Sequence, residues 1–451
     1  MSTIEKHDMT QGKILLPLVS FTIPLVLGNL FQLTYNAADS VIVGKYVGEQ
    51  ALAAVGTSTP IMNIAILLIS GMCMGASVLM SSQYGAKDYD TLSRQISTTM
   101  LAGCGFSVVF SLLMLLLANP VLRLIRVPET AIPEAAAYLR IIFMGLIFTF
   151  MYNFLANTMR ALGDSKTPLY FLVTSAFLNI FGDLFFVVVL RWGVAGSAIA
   201  TVCSEGLCCL LCGIYIKKKI PLLCLGKKWW VFDKSLLGKT VSYGSTSAMQ
   251  QVCLQLGKLI IQSVVNTQGV AVMAAFTAVN RVDDFAYTPQ QNIGHAMTTF
   301  LAQNKGAGHK ERMKKGFQTG LLIELVYSIG LFCVIWGLAP QIMTLFAEDG
   351  DAQVVSLGIS YLHLISWMYI LPGLTNGVQG FFRGIGDLKV TLYSTFMNMF
   401  GRVVAVFVMI RLLQMEFASL AWANMVGWIV MLLFEVPLLV KSMRNGECGY
   451  A

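Results

Sequence analysis

Apolar residues run along this chain in twelve long blocks, each separated from the next by a short polar stretch. The blocks fall at roughly 14–38, 50–80, 94–117, 132–158, 167–190, 193–216, 236–264, 270–303, 316–338, 352–381, 388–411 and 415–440. About 20 residues rising ~1.5 Å each cross a ~30 Å hydrocarbon core, so each block predicts a transmembrane helix. Several blocks are longer than that, which predicts tilt or bending. None resembles the ~10-residue alternating segments of an outer-membrane barrel. Pro24 lies inside the first block and removes an interior hydrogen bond, so the pattern predicts a kink there.

One block carries more information than the others. Leu169–Val189 is apolar, yet Asn179 and Asp183 stand well inside it. Their i, i+4 spacing puts both side chains on one helix face. Read structurally, the pair locks helix packing. Read functionally, an ionisable residue at membrane depth faces a wet cavity or a partner and marks a pathway.

Composition agrees with a polytopic membrane protein. The 451 residues are 56% hydrophobic and 12% charged, against about 25% charged in a soluble domain. The formal charge of +8 does not point to nucleic acid, because the basic residues sit in alternate loops. One loop set holds Lys87, Arg94, Arg160, Lys217–Lys219, Lys310, Arg312, Lys314, Lys315 and Arg383, among others. The opposite set holds only Lys45, Arg123, Arg126, Arg191 and Arg411. The positive-inside rule makes the first set cytoplasmic, and both termini with it. The polar start Met1–Gly12 leads straight into a span, with no cleavable signal expected. The cysteines lie mainly in apolar runs and outline neither a disulfide framework nor a zinc site.

The longest polar break, Lys217–Leu237, is basic and contains Trp229 and Trp230, which suits an interfacial segment. It falls near the midpoint. The predicted organisation is an amino-terminal lobe over 1–216 holding spans one to six, a cytoplasmic linker over 217–237, and a carboxy-terminal lobe over 238–451.

The two halves repeat one another. Arg160-Ala-Leu-Gly-Asp164-Ser-Lys166 matches Arg383-Gly-Ile-Gly-Asp387-Leu-Lys389, and Asn179-Ile-Phe-Gly-Asp183 matches Asn398-Met-Phe-Gly-Arg402. Gly85-Ala86-Lys87 answers Gly306-Ala307-Gly308, and Val19-Ser20-Phe21 answers Val241-Ser242-Tyr243. Six spans per half make the repeats parallel, a plan used by secondary transporters. The fold class expected is all-α integral membrane, with twelve transmembrane helices in two pseudo-symmetric six-helix lobes. The Arg-x-x-Gly-Asp-x-Lys stretches read as tight glycine turns whose Asp caps the following helix.

Helix rise gives approximate depths. Asp183 lies ~24 Å from the Thr167 end of span five, Asp39 ~37 Å along span one and Thr201 ~12 Å down span six. Gln32 sits two turns below Asp39 on the same face, and Tyr138 opens span four from outside. Two carboxylates in one poorly solvated cavity cannot both carry charge cheaply, so the pair can take a proton. With Asn179 and Thr201 the same oxygens can instead hold Na⁺ as a hard cation.

The repeat, the twelve spans, the Pro24…Asp39 first span and the Gly-Ala-Lys and Arg-Ala-Leu-Gly-Asp turns together resemble the MATE (multidrug and toxin extrusion) transporters, in their prokaryotic NorM/DinF-like branches. The resemblance covers essentially the whole chain. It implies a cation-coupling site at Asp39, Asn179, Asp183, Thr201, Gln32, Tyr138 and Asn157, the last near the cytoplasmic end of span four. Na⁺ would sit at Asp39, Asn179 and Asp183. Some NorM-type relatives also place acids on spans seven and ten. Here those spans offer Lys258 and His363, and Arg402 repeats Asp183, so coupling is expected in the first lobe alone.

The remaining intramembrane charges are Arg281, Asp283 and Asp284, read as an internally neutralised or substrate-lining cluster, with Glu205 and Glu324 in mid-span. Arg281, Asp283, Asp284, Lys258, Arg402 and Met249 are the substrate-cavity candidates. His295 and His363 read as packing residues.

These expectations add up to a cation-coupled antiporter of a prokaryotic cytoplasmic membrane. It would take amphipathic, often cationic organic compounds into an interlobe cavity and use inward H⁺ or Na⁺ to reset. It would work as a monomer in the lipid bilayer, without nucleic acid, with no cofactor beyond the coupling ion. No GxxxxGK[ST] loop points to direct use of ATP. One alternative is a lipid-linked oligosaccharide flippase of the same wider superfamily, for which Lys258, Arg281 and Arg402 would supply basic charge. The other is an integral-membrane enzyme, which would need catalytic groups clustered at one membrane face.

Overall fold

The computed structural model describes residues 8–124, 127–129, 131–220, 230–346, 352–413, 415, 417 and 419–444. Among these every regular element is helical. Span one is α1 (Leu15–Tyr46), span two α2 (Glu49–Gly85) and span three α3 (Tyr89–Leu124). Span four is a pair, α4 (Ile132–Met144) and α5 (Leu146–Ala161), followed by α6 (Lys166–Asp183) and α7 (Gly193–Lys219). The second half runs α8 (Lys234–Val265), α9 (Val270–Gly306), α10 (Lys310–Phe346), the pair α11 (Ala352–Ser366) and α12 (Ile370–Ile385), α13 (Leu388–Val406) and α14 (Ser419–Arg444). Every predicted block therefore carries helix.

Among the described residues nine helices are long and apolar enough to cross a membrane alone. The α4–α5 pair passes together, bent by 46°. The helices that fall short are α8 and α9, the ones that hold Lys258, Arg281, Asp283 and Asp284. The predicted kink at Pro24 does not interrupt α1, which stays helical through it. The break instead falls at Gly145, where a Cβ would lie 2.4 Å from Val202 Cγ2. The missing side chain lets α7 press into the bend.

The repeat extends to backbone detail. Gly48 and Gly269 begin α2 and α9 at φ 114° and 105°. Gly163 and Gly386 turn at φ 91° and 85°, left-handed conformations that only glycine adopts without strain. Lys87 and Gly308 are left-handed at φ 58° and 73°. Short π-helical segments follow α6 at Leu184–Val189 and α13 at Phe407–Leu412. The expected capping holds in one copy. Asp164 Oδ1 accepts from the Lys166 and Thr167 backbone N–H groups at 3.1 and 3.0 Å. Asp387 makes no such cap.

The compact units divide at other points than the linker suggested. One holds Asp8 with Ile23–Ala248, and the other holds Met9–Thr22 with Met249–Ala451. The first turns of α8 stay with the first unit for two reasons. Gln95 Nε2 donates to Thr240 Oγ1 at 2.6 Å. Gly71 and Gly75 allow backbone approach so close that a Cβ would meet Ala248 Cα at 2.6 Å and Tyr243 C at 2.5 Å. In the second unit, Arg312 donates to the carbonyls of Met9, Gln11 and Gly12, and Met9 N–H donates to Gln303 Oε1 at 3.1 Å. Trp229 lies outside the described residues. Beyond it the chain is stitched to α3, where Val231 N–H donates to Ser97 Oγ and Arg94 pairs with Asp233 at 2.5 Å.

Candidate functional site

The seam between α6 and α7 is built on small residues. A Cβ at Gly182 would lie 3.0 Å from Ala200 Cβ, and one at Gly196 would lie 3.1 Å from the Phe186 carbonyl. The two helices therefore lie close enough for short polar side chains to meet across them. Asn179 Nδ2 donates to Thr201 Oγ1 at 3.2 Å, and Thr201 Oγ1 donates to the Ser197 carbonyl at 3.1 Å. Ser197 Oγ donates to Asp39 Oδ1 at 2.8 Å, which ties α1 to the seam. Asp183, fully buried, lies beside Asp39 and Ser197 as the last residue of α6 before the π turn.

The structure thus brings Asp39, Asn179, Asp183 and Thr201 into one cluster. Tyr138 joins it from α4, where it is buried within reach of the fields of both carboxylates. Gln32 is exposed; its link to the cluster is by way of Tyr35, three residues on, which lies near it and within the fields of Asp39 and Glu205. Asn157 forms no hydrogen bond to the cluster among the described residues; its Nδ2 donates to the Asn153 carbonyl at 2.9 Å, on the last turn and a half of α5.

Both oxygens of Asp183 and Oδ1 of Asn179 are buried without a donor among the described residues. Unpaired buried oxygens cost about 1–3 kcal/mol each, more when charged. Three of them beside a second carboxylate form an all-oxygen set suited to a proton or a hard monovalent cation. Next to the cluster lies a small cleft of about 20 Å³, room for little more than a water, lined by Met62, Ile142, Thr149, Thr201 and Glu205. Thr149 Oγ1 donates to Glu205 Oε2 at 2.5 Å, so this acid, one turn beyond Thr201, faces the cleft. Ser197 and Tyr35 went unread in the sequence. The signal was there: each lies four residues before a residue that was read, Thr201 and Asp39.

The substrate-cavity candidates of the second half do not form one cluster. Asp283 is buried, whereas Asp284 is exposed and meets Lys258 at 3.4 Å. Arg281 is exposed and forms no ion pair among the described residues. The neutralised triad expected of Arg281, Asp283 and Asp284 is corrected accordingly, because consecutive helical positions point about 100° apart. Met249 is also exposed. Asp283 instead accepts from Tyr369 Oη at 2.6 Å and Tyr361 Oη at 3.1 Å, with Arg402 near enough for its field to reach Asp283 and Tyr361. Asn424 Nδ2 donates to Tyr361 Oη at 2.8 Å.

One family model, MatE, matches the chain twice, at residues 24–185 and 247–409. The chain belongs to the MatE family. "Probable multidrug resistance protein YpnP" of Bacillus subtilis (strain 168) is 32% identical over 392 residues, 86% of each chain. "Probable multidrug resistance protein NorM" of Thermotoga maritima is 23% identical over 440 residues, 95% of this chain and 92% of that one. In fold the chain is similar to an outward-facing MATE transporter of the MOP superfamily, with TM-score 0.91 at 22% identity over 100% of both chains. A MOP superfamily transporter from Pyrococcus furiosus, described as having a binding pocket of reverse polarity, superposes with TM-score 0.90 at 21% identity, covering 98% of this chain and 99% of that one. This MatE chain is a multi-pass membrane transporter of the multidrug efflux kind. The double match to one model marks its halves as copies, and the two lobes of twelve helices in all fit the MATE fold.

Proposed function

We propose that the protein is a cation-coupled antiporter that exports amphipathic, often cationic organic compounds across a prokaryotic cytoplasmic membrane. Both termini lie in the cytoplasm on this reading, following the bias of Lys and Arg between loops. The observation that carries the coupling is the buried set of donor-less oxygens at Asp183 and Asn179, next to Asp39. A proton or Na⁺ there cancels carboxylate charge and satisfies those oxygens, so its arrival favours whichever arrangement of α1, α6 and α7 closes the set. Ser197 and Thr201 hold the set in register. Glu205 and Tyr138 extend the polar surface beyond the two carboxylates, so an organic cation drawn to this face would feel the same negative field as the coupling ion.

A flippase of anionic lipid-linked sugars is less well supported. Lys258 is matched by Asp284, and Arg402 faces the buried Asp283, so two of the three basic residues that suggested it have acidic neighbours.

Asp183→Asn tests the assignment. The variant keeps size and shape and removes the charge, so protein inserted at the wild-type level should lose drug export from proteoliposomes by at least about tenfold, the rate cost of ~1.4 kcal/mol. Export at the wild-type rate would end the reading. Imposing pH and Na⁺ gradients separately identifies the ion.

A further inference from the structure

A second acid in the molecule is as isolated as Asp183. Glu324 on α10 is 1% exposed, and neither carboxylate oxygen meets a donor among the described residues. Its neighbours come from three other segments. Gln290 on α9, fully buried, donates through Nε2 to Ser328 Oγ at 3.1 Å and to the Tyr369 carbonyl at 2.8 Å. Those two bonds fix the amide so that Oε1 is left buried with no donor. Ser328 Oγ spends its proton on the Glu324 carbonyl at 2.7 Å. Tyr369 ends the 3₁₀ turn, Trp367–Tyr369, that separates α11 from α12.

All of this converges beside Gly373. A Cβ there would lie 2.9 Å from Ser328 Oγ, 3.2 Å from Gln290 Nε2 and 3.4 Å from Glu324 Oε2. The first half shows what the same place looks like without a polar group. In the repeat register set by Arg160 and Arg383, Phe150 corresponds to Gly373. In the register set by Gly85 and Gly306, Gly103 corresponds to Glu324 and Ile69 to Gln290. There the Phe150 ring fills the space, 1.9 Å from where a Gly103 Cβ would be, and Ile69 is core. In the second half the ring is gone and a carboxyl reaches into its space. The fold packs this position with hydrocarbon in one copy, so the acid is not needed to build the lobe.

We propose that Glu324 is an exchange site for a small monovalent cation, H⁺ or Na⁺, in the second lobe. A buried carboxylate with no compensating group is too costly to persist, so its charge has to be cancelled by a proton or a bound ion. The donor-less oxygens available are Glu324 Oε1 and Oε2 and Gln290 Oε1. Release of the cation would leave an unmatched charge against the Tyr369 carbonyl at the helix break. That charge favours movement of α12 relative to α11, since a 3₁₀ turn is the weakest point of the pair. The titratable group whose field meets it is Tyr327 on α10; beyond Gln290 and Tyr369 stand Asp283 and Tyr287 on α9 and Tyr361 on α11, with Arg402 from α13 acting on Asp283. Tyr369 links the two acids: its hydroxyl bonds Asp283 while its carbonyl holds Gln290. Coupling in the first lobe alone is expected from Lys258, His363 and Arg402, on spans seven, ten and eleven, whereas Glu324 is on span nine.

This inference does not depend on the proposed role of Asp39 and Asp183, and it is tested with both silenced. In full-length Asp39→Asn/Asp183→Asn protein, acid-minus-alkaline infrared difference spectra in choline chloride report the C=O stretch of a protonated buried carboxyl. Melting temperature in NaCl against choline chloride reports Na⁺. A proton site gives a carboxyl band that Glu324→Gln removes and Asp283→Asn leaves in place. A Na⁺ site gives a Na⁺-specific rise in melting temperature that Glu324→Gln cancels. Glu324→Asp, which keeps the acid, shifts either signal without abolishing it and serves if the Gln variant does not fold. Absence of both signals from the background protein overturns the proposal, as does a carboxyl band or Na⁺ response that Glu324→Gln leaves unchanged, or loss of the same band in Asp283→Asn alone.

Discussion

At the scale of single residues, the first-lobe cluster is held together by hydroxyls more than by its acids. Ser197 supplies the hydrogen bond that joins α1 to α7, and it goes to a carboxylate. A hydrogen bond to a charged group contributes ~1.5–3 kcal/mol, and ~1.4 kcal/mol is tenfold in an equilibrium constant. Ser197→Ala should therefore raise the coupling-ion concentration for half-maximal export by about tenfold or more, with the maximal rate less affected. The measurement is export from proteoliposomes across a series of ion gradients. An unchanged half-saturation would mean that Ser197 only fills space. This residue was within reach of the sequence, because Ser197 and Thr201 share a face with the i, i+4 spacing that singled out Asn179 and Asp183. It was passed over because Ser is also an ordinary small residue at helix–helix contacts, and composition cannot separate the two uses.

At the scale of elements, glycine placement decides which helices touch. Gly75 on α2 faces Tyr243 and Gly244 of α8 at distances no side chain survives, and the atoms it would meet are backbone atoms that cannot rotate away. Overpacking of this kind costs typically about 1–3 kcal/mol. Gly238, also on α8, has nothing within 4 Å of its Cβ position. An Ala in an open helical position is favoured over Gly by ~0.5–1 kcal/mol. Gly75→Ala should then lower the melting temperature of the purified protein while Gly238→Ala leaves it unchanged or raises it. Equal effects would show that the α2–α8 approach is looser than the backbone indicates. The spans themselves were readable from hydropathy. The bend at Gly145 was not, and Pro24 attracted the prediction instead. A glycine bends a helix only when a neighbour such as Val202 takes up the space, and that neighbour is far away in sequence.

At the scale of the whole molecule, the distribution of basic residues predicts a membrane orientation that a labelling experiment can check. The ten native cysteines are first replaced. A cysteine at Arg123 should then react with a membrane-impermeant thiol reagent in intact cells, and one at Lys315 should react only after permeabilisation. The reverse pattern would invert the topology and place the Asp39–Asp183 cluster near the other face. The repeat was legible in short motifs and runs as deep as backbone dihedrals, yet the copies have parted in chemistry. Asp183 became Arg402, and the phenylalanine-filled site at Phe150 became the carboxyl site at Glu324.

The sequence alone determined the number and rough limits of the helices, the duplication, the bias in loop charge and the identity of the acids that lie at membrane depth. These follow from hydropathy and spacing, which are properties of the chain in order. Tertiary structure decided which acids are paired and which are left alone: Asp284 beside Lys258 at the surface, Asp283 between two tyrosines, and Asp183 and Glu324 with no donor among the described residues. A helix that is apolar nearly all round carries little record of its rotation about its own axis. The environment of each charge was fixed only when small residues let particular helices close on one another.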